Sequence, residues 1–84
     1  MPPMRPTLVA SISSITVETA PVQVNGAVRS LRAGTTVRQL LGELELSEER
    51  LAVELNREIL PRKQYDLALG SGDRLEIVTF VGGG

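Results

Sequence analysis

Thr36-Val37-Arg38-Gln39-Leu40-Leu41-Gly42-Glu43-Leu44 is the one stretch of this 84-residue chain with helical spacing, and its position decides the fold. Thr36 followed by Gln39 is a capping-box pattern, in which the hydroxyl and the amide each satisfy a backbone N–H of the first turn. Val37, Leu40, Leu41 and Leu44 then fall on one apolar stripe. Gly42 costs about 1 kcal/mol relative to alanine. A short helix over about 37–44 is therefore expected.

Upstream, Val22-Gln23-Val24 alternates, Asn25-Gly26 follows, and residues 28–32 alternate loosely before Ala33-Gly34. Asn-Gly between alternating runs signals a hairpin, because both residues tolerate positive φ. Downstream, residues 47–50 read as a turn, and Leu51-Ala52-Val53-Glu54-Leu55 reads as a strand with Leu51, Val53 and Leu55 inward. Asn56-Arg57 is a turn, and residues 58–60 form a short strand stopped by Pro61. Residues 62–69 are irregular, with room for one helical turn. Gly70-Ser71-Gly72-Asp73 is a tight turn before a last strand over 74–81. On that strand Leu75, Ile77, Thr79 and Val81 share one face, and Arg74, Glu76, Val78 and Phe80 share the other.

A hairpin, one helix and then two or three strands predict an α+β, ubiquitin-like β-grasp fold. One main helix packs on one face of a mixed four- or five-stranded sheet. A ferredoxin-like fold needs a second long helix, and small barrels do not place a capped amphipathic helix here. The first and last strands should pair in parallel at the centre. The expected core sets Val37, Leu40, Leu41 and Leu44 against Val22, Val24, Leu51, Val53, Leu55, Leu75 and Ile77. Residues 1–20 carry three prolines, many Ser and Thr, and only Arg5 and Glu18 as charges. They are expected to be a poorly ordered N-terminal extension, with an extended segment at 15–17 the lesser reading. Residues 21–84 form the domain.

Composition narrows the function. Net charge is −1 and aromatic residues make up 2% of the chain, which argues against nucleic-acid binding. No apolar run approaches the roughly 18 residues of a transmembrane helix. Cysteine and histidine are both absent, so the usual nucleophile, the usual neutral-pH base and the softer metal ligands are missing. We expect no catalytic residue, no bound cofactor and no metal. This is not the composition of an enzyme.

What remains is the end of the chain, where a strong strand runs into Gly82-Gly83-Gly84. Glycines without a Cβ can thread a narrow channel. The terminal carboxylate of Gly84 is then open to attack the α-phosphate of ATP and form an acyl-adenylate, from which a sulfur nucleophile can displace AMP. Val78 and Phe80 are expected to alternate outward near this tail, with Ala52 beside them, as an apolar docking patch. A covered sheet edge at Phe80 is the competing reading.

Several segments together resemble the thiamine sulfur-carrier (ThiS) family, within the wider ThiS/MoaD group. They are Val24-Asn25-Gly26, Thr36-Val37 with Leu40-Leu41, 51–56, Ile59-Leu60-Pro61-Arg62, 72–78 and Val81-Gly82-Gly83-Gly84. The resemblance covers about 21–84. It implies adenylation of Gly84 by a ThiF-type adenylyltransferase using ATP, and conversion to a thiocarboxylate with sulfur from a cysteine desulfurase. Delivery to a ThiG-type thiazole synthase follows. It further implies Gly83, Gly82, Val81 and Phe80 as the insertion and docking segment, and a cytoplasmic carrier that is monomeric when free. The family begins close to the Val-Asn-Gly turn, so residues 1–20 have no counterpart. Many members carry Trp at the position of Tyr65. A carrier for molybdopterin synthesis or another thiolation pathway shares this fold. A protein modifier conjugated through Gly84 and an inert binding module are the readings from other classes. The single lysine, Lys63, argues against self-linked chains.

Overall fold

A computed structural model describes residues 18–80. Its elements are β1 (Thr19–Val24), β2 (Ala27–Arg32), α1 (Val37–Glu43), β3 (Leu51–Leu55), β4 (Glu58–Leu60) and β5 (Arg74–Thr79), with single 3₁₀ turns at Glu48–Arg50 and Arg62–Gln64. The sheet has five strands in the order β2-β1-β5-β3-β4. β1 and β5 pair in parallel at its centre, and every other pair is antiparallel. This is the β-grasp arrangement, with α1 against one face. β1 opens at Thr19, so Thr19 and Ala20 form the first two rungs of the β1–β2 ladder. The extended segment considered at 15–17 lies outside the described residues.

The capping box forms as read. Gln39 N–H donates to Thr36 Oγ1 at 3.0 Å, and Thr36 N–H donates to Gln39 Oε1 at 2.9 Å. Two more orphan donors of the first turn go to the irregular segment: Val37 N–H to Leu67 O and Arg38 N–H to Tyr65 O. That segment is therefore fastened to the helix start, which explains why Tyr65 and Leu69 are buried.

The helix stops at Glu43, one residue before the expected end. Leu46 N–H bonds Leu41 O and Glu45 N–H bonds Gly42 O, the paired bonds of a Schellman motif. Glu45 takes the left-handed conformation, φ 60°, at the position that usually belongs to glycine.

The core is Val22, Val24, Leu31, Val37, Leu40, Leu41, Leu51, Val53, Leu60, Tyr65, Leu69, Leu75 and Ile77. Leu44 and Leu55, expected inside, are only partly buried against it. Leu44 sits at the helix cap and Leu55 at the last rung of β3, where little remains to cover them.

Two turns have both central residues at positive φ: Asn25 (48°) with Gly26 (86°), and Asn56 (52°) with Arg57 (73°). This is the primed geometry that matches strand twist. Arg57 adopts it against the steric preference of an L side chain, at a cost of about 1 kcal/mol. Arg57→Gly is expected to raise the unfolding free energy by roughly 0.5–1 kcal/mol in urea denaturation. An unchanged or lower midpoint would mean that the Arg57 side chain compensates its own strain.

Candidate functional site at the end of the central strand

Both asparagines of these turns reach beyond them to β5. Asn25 N–H donates to Leu75 O at 2.9 Å. Its side chain then accepts from Ile77 N–H at 2.6 Å and donates to Ile77 O at 3.1 Å. The amide thus imitates one more residue of β1 and carries the parallel ladder onward. On the other edge, Asn56 N–H donates to Arg74 O at 2.7 Å, and Asn56 Oδ1 accepts from Arg74 N–H at 2.9 Å. β5 is held on both edges, near its beginning and along its middle, by side chains as well as backbone.

The far end of β5 is fixed differently. Phe80 N–H donates to Arg50 O at 2.7 Å, so the chain leaves the sheet tied to the 48–50 turn. Arg38 on α1 and Arg62 after β4 brace that turn, donating to Glu48 at 2.7 and 3.1 Å. Arg38 also pairs with Asp66, and Arg62 with Glu49.

The hydrogen bond from Arg38 is the largest cause holding the Glu48 carboxyl below its ordinary value of 4.5. A carboxylate whose folded pKa is depressed stabilises fully above the unfolded value, and that stabilisation is lost as pH falls through the folded one. Glu48→Gln is therefore expected to flatten the fall in melting temperature below about pH 4.5, the ordinary carboxylate value. An acid limb identical to that of the unmodified protein would remove Glu48 from the account. Burial pushes the Tyr65 phenol up, consistent with its place under these ion pairs.

Val78 is 56% exposed and lies directly across from Ala52 on the sheet face away from the helix. Phe80 is 57% exposed and directly follows β5, with its N–H on Arg50 O in the register that pairs Thr79 with Leu51. Phe80 lines an open cleft of about 390 Å³ with Glu45, Leu46, Ser47, Arg50, Leu51 and Thr79. Val81, Gly82, Gly83 and Gly84 lie outside the described residues. Among the described residues, no group of three or more acidic side chains is arranged to hold a metal ion, and no helix is long and apolar enough to cross a membrane.

The ThiS family model matches residues 22–84, from the first strand through the glycines. The chain belongs to the ThiS family. Its similarity to the sulfur carrier protein ThiS of Bacillus subtilis is 37% identity over 65 residues, 75% of this chain and 98% of that one. The crystal structure of the thiamine biosynthesis protein ThiS from Geobacter metallireducens matches with a TM-score of 0.62 at 34% identity. That match covers 76% of this chain and 99% of the other, and it confirms the β-grasp fold. A thiazole synthase of Paramagnetospirillum magneticum is 48% identical over 62 residues, 73% of this ThiS-family chain. The chain spans only 19% of that relative's length.

Proposed function

We propose that this chain carries sulfur for thiamine biosynthesis on the carboxyl group of Gly84. The family match running through residue 84 carries this reading. The doubly held β5 supports it, because a strand fixed on both edges gives whatever follows it a defined origin.

The domain supplies no acid, base or nucleophile. It is a carrier on which partner enzymes act. A ThiF-type adenylyltransferase brings the Gly84 carboxylate to the α-phosphorus of ATP, and pyrophosphate leaves. A sulfur nucleophile attacks the carbonyl carbon of the adenylate, AMP leaves, and a thiocarboxylate remains. When the sulfur arrives as a cysteine desulfurase persulfide, a second thiol cleaves the S–S bond. The chain binds no cofactor of its own, and ATP belongs to the activating partner. Val78, Phe80, Val81, Gly82 and Gly83 form the docking and insertion segment. A thiazole synthase receives the sulfur, a reading supported by the segment of a thiazole synthase that resembles this domain. The carrier is monomeric when free and works in the cytoplasm.

Intact mass spectrometry tests the chemistry. After incubation with the adenylating enzyme, ATP and a sulfur donor, the carrier should gain about 16 Da, the exchange of one carboxylate oxygen for sulfur. Conjugation to other proteins in place of this gain would establish a modifier. No change in mass would leave an inert module.

A further inference from the structure

The two edges of β5 do not stop together. On the β1 side the last partner among the described residues is the Asn25 amide at Ile77. On the β3 side the register goes on to Ala52 with Val78 and Leu51 with Thr79. One more bond follows, from Phe80 N–H to Arg50 O at 2.7 Å. The last hold on the described chain is therefore one-sided, and its acceptor lies outside β3, on the 3₁₀ turn Glu48–Arg50.

That turn has little of its own to keep it in place. It buries no side chain, and Ser47 gives it no capping hydrogen bond. A backbone bond from Arg50 N–H to Ser47 O closes it at 3.0 Å. Glu48 ties it to the helix. The Glu48 carboxylate accepts from Arg38 Nε at 2.7 Å and from Arg62 Nε at 3.1 Å. Its side chain is 20% exposed, the least of the five charged groups joined here. Charge-assisted bonds of this kind are about twice as strong as neutral ones. Arg38 is itself fixed in the first turn of α1. Its N–H donates to Tyr65 O, and its guanidinium also reaches Asp66 and, at 3.4 Å, Arg62 O.

We infer that Arg38 and Glu48 are positioning residues for the glycine tail: they hold the 48–50 turn against α1, keep Arg50 O where Phe80 N–H meets it, and so fix the point from which residues 81–84 begin. The inference rests on the carrier reading above. Bonds at a fraying chain end open with free energies near zero, so a small loss of order in the acceptor changes how often this one is closed. An enzyme that recognises body and tail together binds the fraction of chains with the bond closed, and its apparent affinity falls with that fraction. A tenfold shift in opening from near balance lowers the closed fraction about threefold to fivefold. Once the tail is seated in the enzyme, the bond no longer matters and the chemical step keeps its rate.

The experiment compares the 84-residue chain with Glu48→Gln, Arg38→Met and Leu31→Val. Solvent exchange of the Phe80 amide is read by NMR on the free chain. Loading is read as mass gain with the adenylating enzyme, ATP and a sulfur donor at several carrier concentrations. Glu48→Gln and Arg38→Met should each speed Phe80 exchange, and each should raise the KM for the carrier about threefold to fivefold with kcat unchanged. Leu31→Val changes the core on β2, the edge strand away from the turn. It should lower the melting temperature and move neither readout. A raised KM with unchanged Phe80 exchange would mean that these side chains touch the enzyme directly, and it would overturn the inference. So would an unchanged KM in either variant, or a KM that rises equally in Leu31→Val. An unmodified chain that gains no sulfur would overturn the carrier reading and the inference together.

Discussion

Removing Gly84 should leave a folded protein that gains no sulfur. The core lies between Val22 and Ile77, so the melting temperature should match that of the full chain. The shortened chain still ends in glycine, and its carboxyl group is chemically the same. It falls short by about 3.5 Å, one extended residue. A misplacement of even 1 Å at a reacting centre can cost about a hundredfold in rate. Gly84→Ala separates reach from crowding, since it keeps the length and adds one Cβ beside the carboxyl. Loading of that variant should slow by about a hundredfold if the channel is narrow. The measurement is the rate of the mass gain with the adenylating enzyme and ATP. A truncated chain that still becomes a thiocarboxylate would end the proposal that Gly84 is the loaded residue.

Asn25→Ala should be the most damaging single change to the fold outside the apolar core. It leaves the N–H and C=O of Ile77, in the middle of the central strand, without their partners on the β1 side. An unsatisfied buried backbone group costs about 1–3 kcal/mol. Holding alanine in the left-handed region adds about 1 kcal/mol. A loss of roughly 3–5 kcal/mol in urea denaturation is expected, a large fraction of the roughly 5–15 kcal/mol available to a small domain. Asn25→Gly removes only the hydrogen bonds and should be about 1 kcal/mol less damaging. Asn25→Asp keeps the acceptor for Ile77 N–H but sets a carboxylate oxygen against Ile77 O, so it should not rescue. A loss below 1 kcal/mol for the alanine variant would mean that water replaces the amide.

Asn25 shows where sequence reading stops. Asn-Gly between alternating runs announced the hairpin, and the local rule was right. Nothing in the spacing announced that the same side chain would complete a ladder with a residue 52 positions away. The capping box, the helix stripe and the alternation of β3 and β5 were legible because each depends on neighbours within a few residues. Tyr65 and Leu69 are not legible as core because residues 62–69 have no period; their burial follows from the orphan N–H groups of Val37 and Arg38. Leu31 and Leu60 escape for another reason: one lies in the loosely alternating run 28–32 and the other in a strand of three residues, too short to show a period. The helix end was placed one residue late because Glu45 does the work of a glycine. The site divides in the same way. Val78 lies across from Ala52 on the outer face, as the alternation of β5 implies, whereas the cleft that Phe80 lines is built with residues 45–47, which no alternation brings beside it.

The placement of β5 also has a bearing on biosynthesis. Among the described residues the pairs β1–β2 and β3–β4 have no ladder with each other, and β5 joins them. As the polypeptide emerges from the ribosome, the two hairpins have no strand to pair with between them until residues 74–79 arrive. Non-local pairing of this kind is slow to nucleate. Whatever follows Thr79 in the chain is therefore synthesised after the piece that locks the two halves together, and no earlier translation product contains the finished sheet.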